Sequence, residues 1–521
     1  TGAEILINAL IEQGVDSIFG YPGASVLSVY DALSKSSIRH ILTAHEQGAC
    51  FAADGYARAS GKCGVVLTTS GPGATNLVTG IADAFMDSVP LVAITGNVTL
   101  QNLGHDSFQE VDIFDVTMPI TKYSMIVKSA ADIAPAIRKA FNIALSGRRG
   151  PVLVDIPSNV FDEKAAYVKK SAEKICEYAS LNSTEIDNAI ALINKSKRPL
   201  IYAGGGVKAS KATAELFDFA LKICAPVMVS YMGIGCFNPD DPSYIGVLSN
   251  INTKAHQALR ECDLLITLGA RFNSRYTAFD TVKKRKIPLL QIDVDKAEID
   301  KNLLTTASVN ADIKAALTKI SPEVNACTNE DWAFCDFPDF LESNRGIDII
   351  TALNRKISKD TIVLTDVGLH QVWTAHHFKI YSPECFLTSG GLGAMGFSLG
   401  AAIGAHTATG KKCLVITGDG SFNMNFNELS TAVKHHIPLV VVIMNNNSLG
   451  MIRKLQLERG NKNAPASSLY LGIDYVKLAE AMGARGVKLS ETDDIETTLD
   501  IALSGSLPVV IDCSMSINTG I

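Results

Sequence analysis

The chain has 521 residues, 47% of them apolar, and a formal net charge of -6 at pH 7. This length allows roughly two to four domains with sizeable cores. The small negative charge gives no electrostatic basis for binding nucleic acid or an anionic membrane, and no apolar run is long enough to span a bilayer. No targeting leader is recognised, and we expect a cytoplasmic protein.

Strand-like apolar runs alternate with helical patterns along the whole chain. The first clear set is the run 64–68, the helical pattern 74–85 and the run 91–95. Repeated βα units of this kind predict parallel sheets covered by helices on both faces, with sites at the carboxyl ends of the strands. The predicted fold is therefore α/β, with doubly wound parallel sheets.

Two polar segments divide the chain into three predicted domains. Residues 162–184 are rich in Lys, Glu and Ser, and residues 321–344 are rich in Pro, Asn and acidic residues, as linkers are. Between them, the runs 198–207 and 290–295 mark a central α/β domain. The predicted domains are 1–165, 185–320 and 345–521.

Eleven cysteines are scattered along the chain without a CxxC pair. The spacing does not match a metal site, and it predicts reduced, mostly buried thiols. Cys50 has no partner residues in the sequence that would make it a nucleophile, so we expect a small core residue there.

Two oxygen-rich segments follow predicted strands in the last domain. Gly418-Asp419-Gly420 is followed by a helical pattern, by the apolar run 438–443, and then by Asn445-Asn446-Asn447. A carboxylate and a carboxamide at neighbouring strand ends supply hard oxygen ligands for a Mg²⁺ that also holds a diphosphate. An isolated Gly-Asp-Gly is more typical of a turn. With the Asn pair at this offset, the pattern predicts a thiamine diphosphate (ThDP) site.

Segments in the N-terminal third point to the same cofactor. Together with 388–396 and 418–427, they resemble the acetolactate (acetohydroxyacid) synthase family of ThDP-dependent enzymes. The resemblance covers almost the whole chain and implies pyrimidine-binding, central and diphosphate-binding domains in that order. The N-terminal segments are 19–23, His45-Glu46-Gln47-Gly48-Ala49, 54–58, 69–77, 86–90 and 108–112.

The resemblance implies a role for individual residues in the ThDP site. Glu46 is expected to hydrogen-bond the pyrimidine ring and to promote removal of the acidic ring proton; the alternative is a surface Glu that begins a helix. Met395 is expected to wedge between the two rings, and the Gly393 carbonyl to meet the amino group. The other implied contacts are the Mg²⁺ ligands Asp419, Asn446 and Ser448 (main-chain oxygen), and the cofactor-binding residues Pro22, Gly23, Gly368, His370, Gly420 and Ser421.

A second cofactor and a substrate pocket are also implied. Related enzymes hold an FAD that takes no part in the net reaction, although many central domains of this superfamily hold no nucleotide. The implied FAD-binding positions are Arg148, Gly204, Gly205, Gly206, Asp293 and Asp312. The implied catalytic-pocket residues beside Glu46 are Phe108 and Gln109, and the implied substrate positions are Ala24, Arg275 and Leu455.

Two of these positions depart from the family pattern. Leu455 stands where the family has a Trp that favours 2-ketobutyrate as acceptor, and Ala24 replaces the second Gly of a Tyr-Pro-Gly-Gly turn, as in catabolic acetolactate synthases. The hypothesis is a ThDP- and Mg²⁺-dependent carboligase that decarboxylates pyruvate and ligates the hydroxyethyl group to a second 2-keto acid. The alternative is a related ThDP-dependent lyase, decarboxylase or carboligase with a different carbonyl acceptor.

The resemblance further implies an obligate homodimer, in which Glu46 and Asp419 of one site come from different chains. A homotetramer and a small regulatory subunit are left open. The small-molecule partners of the hypothesis are 2-keto acids, as in branched-chain amino acid biosynthesis.

Overall fold

The computed structural model describes residues 1–170, 181–249, 253–272, 278–327, 330–334, 343–461, 463–469, 472–505 and 508–520. Its contacts separate two compact units, residues 1–176 with 361–371 and 387–521, and residues 177–360 with 372–386. The described chain contains three six-stranded sheets whose paired strands run parallel. The α/β fold predicted from the alternating runs is confirmed, and the bounds of the three domains stay a prediction.

The first sheet, with the helices around it, is named the first domain and belongs to the first unit. Its strand order is β2-β1-β3-β4-β6-β5, and β3, β4 and β6 are buried along their whole length. Burial on both faces is expected where helices cover a parallel sheet on both sides. The elements are α1 (Gly2–Glu12), β1 (Ser17–Tyr21), α2 (Leu27–Ser34), β2 (Arg39–Leu42), α3 (Glu46–Ser60), β3 (Gly64–Thr68), α4 (Pro72–Thr75), α5 (Val78–Asp87), β4 (Leu91–Asn97), α6 (Ile113–Thr117), β5 (Tyr123–Ile126), α7 (Ala130–Leu145), β6 (Pro151–Pro157) and α8 (Ser158–Asp162).

The central sheet, in the second unit, has the order β12-β11-β10-β7-β8-β9. When its six strands are numbered 1 to 6 along the chain and read from β9, the order is 3-2-1-4-5-6. Dinucleotide-binding domains have this order. The strand order reverses between β7 and β10. The elements of this region are α9 (Ser183–Lys195), β7 (Pro199–Ala203), α10 (Gly205–Ala209), α11 (Thr213–Lys222), β8 (Val227–Val229), β9 (Tyr244–Val247), α12 (Lys254–Glu261), β10 (Leu264–Leu268), α13 (Ala278–Arg285), β11 (Leu289–Asp293), β12 (Ala307–Asn310), α14 (Ile313–Glu323), α15 (Glu330–Ala333) and α16 (Arg345–Lys356).

The third sheet, with the elements around it, is named the third domain and returns to the first unit. Its order is β14-β13-β15-β16-β18-β17, which repeats the order of the first sheet strand for strand. The elements are β13 (Ile362–Thr365), α17 (Leu369–His377), β14 (Phe386–Thr388), α18 (Phe397–Thr409), β15 (Cys413–Gly418), α19 (Asp419–Asn425), α20 (Glu428–Lys434), β16 (Leu439–Asn445), α21 (Gly450–Glu458), α22 (Tyr475–Ala481), β17 (Arg485–Leu489), α23 (Ile495–Leu503) and β18 (Val509–Ser514).

Within the first unit, α3 of the first domain packs directly on α18 of the third. A Cβ atom at Gly55 would collide with the Ala401 carbonyl, and one at Gly404 would collide with the Ala52 carbonyl. The glycines therefore allow the two backbones to approach more closely than side chains would permit. The apolar residues of both helices belong to one continuous buried cluster that reaches both sheets.

The prediction that the cysteines are reduced is wrong for one pair. Cys224 and Cys327 form a disulfide with a Cα–Cα distance of 5.8 Å, although 103 residues separate them. Cys224 follows α11 and Cys327 follows α14, and packing between these helices brings the two residues together. Cys50 is a free, buried thiol, as expected. In the described ranges, no helix combines the length and the apolar character needed to cross a bilayer.

Candidate cofactor site

Asp419 stands directly after β15, at the carboxyl edge of the third sheet. Its side chain is almost fully buried, with 4% exposed, and burial raises the pKa of its carboxyl to about 6. The backbone N–H of Gly420 donates to Oδ1 at 2.9 Å. A divalent cation beside this carboxyl would stabilise its charged form and offset the effect of burial.

The segment after β16 lies against Asp419. The backbone N–H groups of Asn447 and Ser448 hydrogen-bond to the Asp419 carboxyl and lower its pKa. The side chain of Asn446 accepts a hydrogen bond from the Ser448 N–H at 3.1 Å, and both residues are buried. The fold therefore brings together the three predicted Mg²⁺ ligands, which come from the ends of two neighbouring strands.

His370 lies close to the same edge, at the beginning of α17. Its imidazole is buried, and burial lowers its pKa to about 4, so the ring is neutral at pH 7. A Cβ atom at Gly418 would lie 3.2 Å from this ring, and one at Gly368 would lie 2.8 Å from it. A neutral imidazole in this position can donate a hydrogen bond to a diphosphate oxygen without carrying a charge.

Met395 and Gly393 lie on the segment between β14 and α18. The Met395 Cε atom is 3.5 Å from the position that a Cβ on Gly420 would take. Gly393 has a left-handed backbone (φ 77°), and the nearest atom to a Cβ placed there is a Val367 methyl at 3.9 Å. Gly393 is partly exposed, and the predicted contact between its carbonyl and the cofactor stays a prediction.

Glu46 lies at the carboxyl edge of the first sheet, where it begins α3. The side chain of His45 caps this helix by accepting the Gln47 N–H at 3.0 Å. Asn76 donates its side-chain amide to Glu46 Oε2 at 2.9 Å. Sequence reasoning gave Asn76 no role, although it stands in the quoted segment 69–77. Glu46 begins a helix, as in the alternative interpretation, but its carboxylate is held by a specific partner. Its contact with a pyrimidine ring stays a prediction.

The other predicted residues of this edge lie on turns that pack against one another. A Cβ atom at Gly23 would lie 2.5 Å from the Thr69 side chain. Gln109 has a left-handed backbone (φ 60°), and its carbonyl oxygen would lie 2.8 Å from a Cβ at Gly71. A left-handed conformation at a non-glycine residue is uncommon and indicates that surrounding contacts hold it.

The predicted substrate residues Ala24 and Leu455 are exposed, Leu455 on α21 by 45%. The predicted catalytic-pocket residue Phe108 is 89% exposed, and the predicted cofactor-binding residue Pro22 is exposed as well. Arg275 lies outside the described residues. Large apolar side chains at this exposure are suited to contact a substrate or another chain.

These observations fit ThDP with Mg²⁺. Side chains at positions 418 and 368 would crowd His370, and the buried Asp419 carboxyl is bonded by backbone N–H groups of the segment that carries Asn446 and Ser448. Among the described residues, no group of three or more His, Cys, Asp or Glu side chains is placed to hold a metal. A hard cation held by one carboxylate and neutral oxygens is consistent with that finding, since Mg²⁺ keeps waters and phosphate oxygens as further ligands.

The predicted FAD positions fall in both units. Arg148 belongs to the first, where it donates to Ser88 Oγ at 2.8 Å and to the Phe85 carbonyl at 3.2 Å. The other five lie in the second unit, at the carboxyl edge of the central sheet. Asp293 accepts the Asp295 N–H at 2.9 Å, and Asp312 caps α14 by accepting the Ala315 N–H at 3.1 Å.

The three consecutive glycines 204–206 have a structural role at the carboxyl edge of the central sheet. The N–H of Gly204 donates to the Leu268 carbonyl at 2.9 Å, and the N–H of Gly206 donates to the Gly269 carbonyl at 3.0 Å. A Cβ at Gly206 would lie 2.6 Å from the Gly269 Cα. The sheet order and the two aspartates suit a dinucleotide, whereas close packing of two turns already accounts for Gly204 and Gly206.

Two buried ionic features were missed by sequence reasoning. Arg58 on α3 contacts three carboxylates, with the Asp87 Oδ2 at 3.0 Å and the Asp83 Oδ2 at 3.4 Å. Its third partner is Asp54, and all four side chains are 4% exposed or less. The second feature is Glu428 on α20, which is fully buried. Only the segment 54–58 carried a signal, an Asp and an Arg four residues apart on one helix face.

Family models match most of the chain. The N-terminal TPP (thiamine pyrophosphate) binding domain of thiamine pyrophosphate enzymes matches residues 1–116, the central domain of these enzymes matches residues 186–320, and their C-terminal TPP binding domain matches residues 366–513. The matched ranges contain both sheet edges described above, Glu46 in the N-terminal range and Asp419 in the C-terminal range.

Curated relatives extend this match over nearly the full length. The acetolactate synthase isozyme 2 large subunit of Escherichia coli (strain K12) is 37% identical over 526 residues, covering 99% of this chain and 95% of that protein. A probable acetolactate synthase large subunit of Methanocaldococcus jannaschii is 41% identical over 541 residues, covering 98% and 91%. An acetolactate synthase large subunit of Parasynechococcus marenigrum is 40% identical over 540 residues, covering 98% and 87%. The chain therefore belongs to the family of thiamine pyrophosphate enzymes that includes the acetolactate synthase large subunits.

Proposed function

We propose that this ThDP-dependent enzyme is an acetolactate synthase-type carboligase that decarboxylates pyruvate and joins the two-carbon unit to a second 2-keto acid. The observation that carries the proposal is the pair of sheet edges, one with Glu46 held by Asn76 and one with Asp419, Asn446 and Ser448 placed together. The names of relatives at 37–41% identity over nearly the full length support the same reaction.

The residues divide the work between binding and proton transfer. Asp419, Asn446 and the Ser448 carbonyl would hold Mg²⁺, and the neutral His370 would donate to the diphosphate. Bound ThDP supplies the carbon nucleophile for the keto group and accepts the electrons that remain after CO₂ leaves. With Oε2 held by Asn76, Glu46 keeps Oε1 to exchange a proton with a ring nitrogen of the pyrimidine.

The proposal includes a homodimer in which each site combines Glu46 of one chain with Asp419 of the other. Large exposed apolar side chains near both edges, Phe108 and Leu455 among them, support a covering partner. Mixing inactive Glu46→Gln and Asp419→Ala proteins should then restore activity, because one site of each mixed dimer is intact. Random exchange gives about a quarter of the wild-type activity. Absence of any recovery after verified subunit exchange would exclude shared sites.

A structural FAD and a small subunit are the remaining parts of the proposal. The central sheet order, with Asp293 and Asp312 at its carboxyl edge, supports FAD. A yellow preparation that releases flavin on denaturation is expected, and a colourless, fully active protein that takes up no FAD would exclude it. The names of the relatives as large subunits support a smaller partner chain, which co-purification with the native protein would detect.

Product analysis tests the central claim. Pyruvate alone should yield acetolactate and CO₂ in a one-to-one ratio. Dialysis against a chelator should abolish the reaction, and ThDP with Mg²⁺ should restore it, since the diphosphate is held through the metal. Acetaldehyde as the only product, or product formation only with another carbonyl acceptor, would favour the related decarboxylase or carboligase instead.

A further inference from the structure

The turn that leads into α3 is held by a residue of the other domain in its unit. The backbone N–H of His45 donates to Glu428 Oε1 at 3.0 Å, and that of Ala44 lies 3.2 Å from both carboxylate oxygens. Thr431 Oγ1 donates to Glu428 Oε2 at 2.7 Å. Glu428 is fully buried on α20 of the third domain, whereas the turn belongs to the first. A carboxylate of the third domain thus holds the backbone N–H groups of the two residues that directly precede Glu46.

The turn that leads towards Met395 is held in the reciprocal way. The backbone N–H groups of Gly390 and Gly391 donate to the Asp87 carboxylate at 3.0 and 2.7 Å. Asp87 ends α5 of the first domain, and the turn follows β14 of the third. The two turns correspond, because each follows the second strand of its domain along the chain, β2 or β14. Each turn presents two consecutive N–H groups to a carboxylate of the opposite domain.

Glycines give both carboxylates the space they occupy. A Cβ at Gly48 would collide with the Glu428 carboxylate, and a Cβ at Gly391 would lie 2.8 Å from Asp87 Oδ1. Gly48 lies on α3, and its carbonyl would lie 2.8 Å from a Cβ at Gly400 of α18, so the helix beside Glu428 is itself closely packed. Hydrogen bonds from N–H groups to a buried carboxylate are stronger than bonds between neutral groups.

We propose that Glu428 and Asp87 are positioning residues of the ThDP site, Glu428 through the turn that carries Glu46 and Asp87 through the turn that carries Gly393 and Met395. The inference rests on the proposed ThDP site. Catalytic groups must be placed to within a fraction of an ångström, and a displacement of about 1 Å costs about 100-fold in rate. The reciprocal arrangement couples the position of each catalytic turn to the opposite domain of the same chain, which in the proposed dimer contributes to the second site.

The Glu428→Gln variant distinguishes a role of Glu428 in positioning Glu46 from a role in packing alone. Glutamine has nearly the same shape, but it offers one oxygen, and its NH₂ group would face one of two converging N–H donors. In protein loaded with ThDP and Mg²⁺, deuterium exchange of the acidic ring proton of the cofactor should slow by about 10- to 100-fold. The ThDP dissociation constant should change by less than about threefold, because the diphosphate and metal ligands lie elsewhere.

Asp87→Asn should slow the same exchange, since an amide NH₂ would replace one of the two oxygens that accept from the N–H groups of Gly390 and Gly391. The matched control is Glu12→Gln on α1, which removes a carboxylate that is 2% exposed and bonded to Arg138 but remote from both turns. This control should lower the unfolding midpoint and leave the exchange rate unchanged. A purely structural role for Glu428 would give the same pattern as the control and would overturn the proposal.

Thr431→Val keeps the proposal testable if Glu428→Gln does not fold. It removes only the hydroxyl that holds Glu428 Oε2 and should slow exchange by about three- to tenfold. Exchange at the wild-type rate in whichever of these variants folds contradicts the proposal. Exchange requires bound ThDP but no keto acid, so failure of the wild-type protein to form acetolactate would reject the proposed function separately.

Discussion

The first and third domains share a scaffold, and their strand registers allow a comparison residue by residue. In the first sheet Thr95 pairs with Asp155, and Asn97 donates to the Asp155 carboxylate at 2.6 Å. In the third sheet Ile443 pairs with Asp512, and Asn445 donates to the Asp512 carboxylate at 2.9 Å. The same Asn–Asp contact therefore closes the same two strands in both domains.

The residues of the proposed cofactor site differ from the residues at corresponding positions of the first sheet. Thr68 pairs with Thr95 and Thr417 pairs with Ile443, so Ser70 corresponds to Asp419. By the same count Val98 corresponds to Asn446. The first domain thus has neither the carboxylate nor the carboxamide that the third domain has at these positions, and it carries Glu46 at another strand end. With the roles proposed above, the difference teaches that one scaffold, present twice, can divide proton transfer and metal binding between its copies.

Glu46→Gln is expected to have the largest effect, because it removes the group that distinguishes the first domain. An amide cannot take or give the proton, and general acid–base groups contribute about 10²–10⁴-fold in rate. We expect this loss in kcat, with the fold retained and ThDP still bound through the third domain. Steady-state kinetics and a ThDP titration measure both. Activity within a fewfold of wild type would assign proton transfer to another group.

Arg58→Met should have the next largest effect, and it acts on stability. Asp87, which holds the third-domain turn, forms an ion pair with Arg58. Glu428, which holds the first-domain turn, accepts hydrogen bonds from neutral N–H and hydroxyl groups. Removing Arg58 leaves buried carboxylates without a counter-charge, which costs about 3–5 kcal/mol of unfolding free energy. Denaturant unfolding measures the change.

The control for this variant is Lys62→Met, two residues beyond the end of α3. Lys62 pairs with Asp16 at 2.7 Å, and both side chains are more than half exposed. An exposed pair of this kind contributes less than about 1 kcal/mol. Equal losses in the two variants would mean that the buried cluster does not depend on its cation.

The Asn–Asp contact common to both sheets predicts a pH effect in the first domain. Asp512 also pairs with Lys488 at 2.6 Å, whereas Asp155 accepts from the Thr95 hydroxyl, and burial raises the pKa of Asp155 to about 6. The folded chain therefore holds this proton up to a higher pH than the unfolded chain, in which an Asp titrates near pH 4. Below pH 4 this difference contributes about 3 kcal/mol to the unfolding free energy, and the contribution is lost as the pH rises to about 6.

Asp155→Asn should remove this decline. The comparison is between unfolding free energies of the two proteins at pH 4, 5, 6 and 7, since other titrating groups cancel in the difference. A difference that stays constant over this range would mean that Asp155 has the same pKa in the folded and unfolded chains.

Local segments of the site could be predicted from the sequence, because each carries its own pattern. The apolar run 438–443 became β16, the Gly-Asp-Gly segment stands at the end of β15, and Glu46 begins a helix. Side chains within these segments meet because strand ends of a parallel sheet share one edge. The motif that predicts a metal site therefore also specifies where in the fold the site lies.

Contacts between distant segments could not be predicted in the same way. Glu428 meets Ala44 across 384 positions, and Asp87 meets Gly391 across 304. In sequence, each is one acidic residue near a helix end, which is more often solvated. The disulfide between Cys224 and Cys327 likewise has no signal in its spacing. Packing of α3 and α20 against α18 explains the contact of Glu428, and packing of α11 against α14 explains the disulfide.

Leu455→Trp is expected to have the smallest effect, and it tests the segments that follow the fourth strand of each sheet. After β4 the chain forms the turns that carry Phe108 and Gln109, and after β16 it forms α21 with Leu455, which is 45% exposed. A Trp here should pack on the extra methyl of 2-ketobutyrate better than Leu does, and one methylene discriminates by roughly 1–3 kcal/mol. Competition between pyruvate and 2-ketobutyrate as acceptors, with both products measured in one reaction, should shift towards the larger product. An unchanged product ratio in a folded, active variant would mean that α21 does not line the acceptor pocket and would leave acceptor choice to the turns of the first domain.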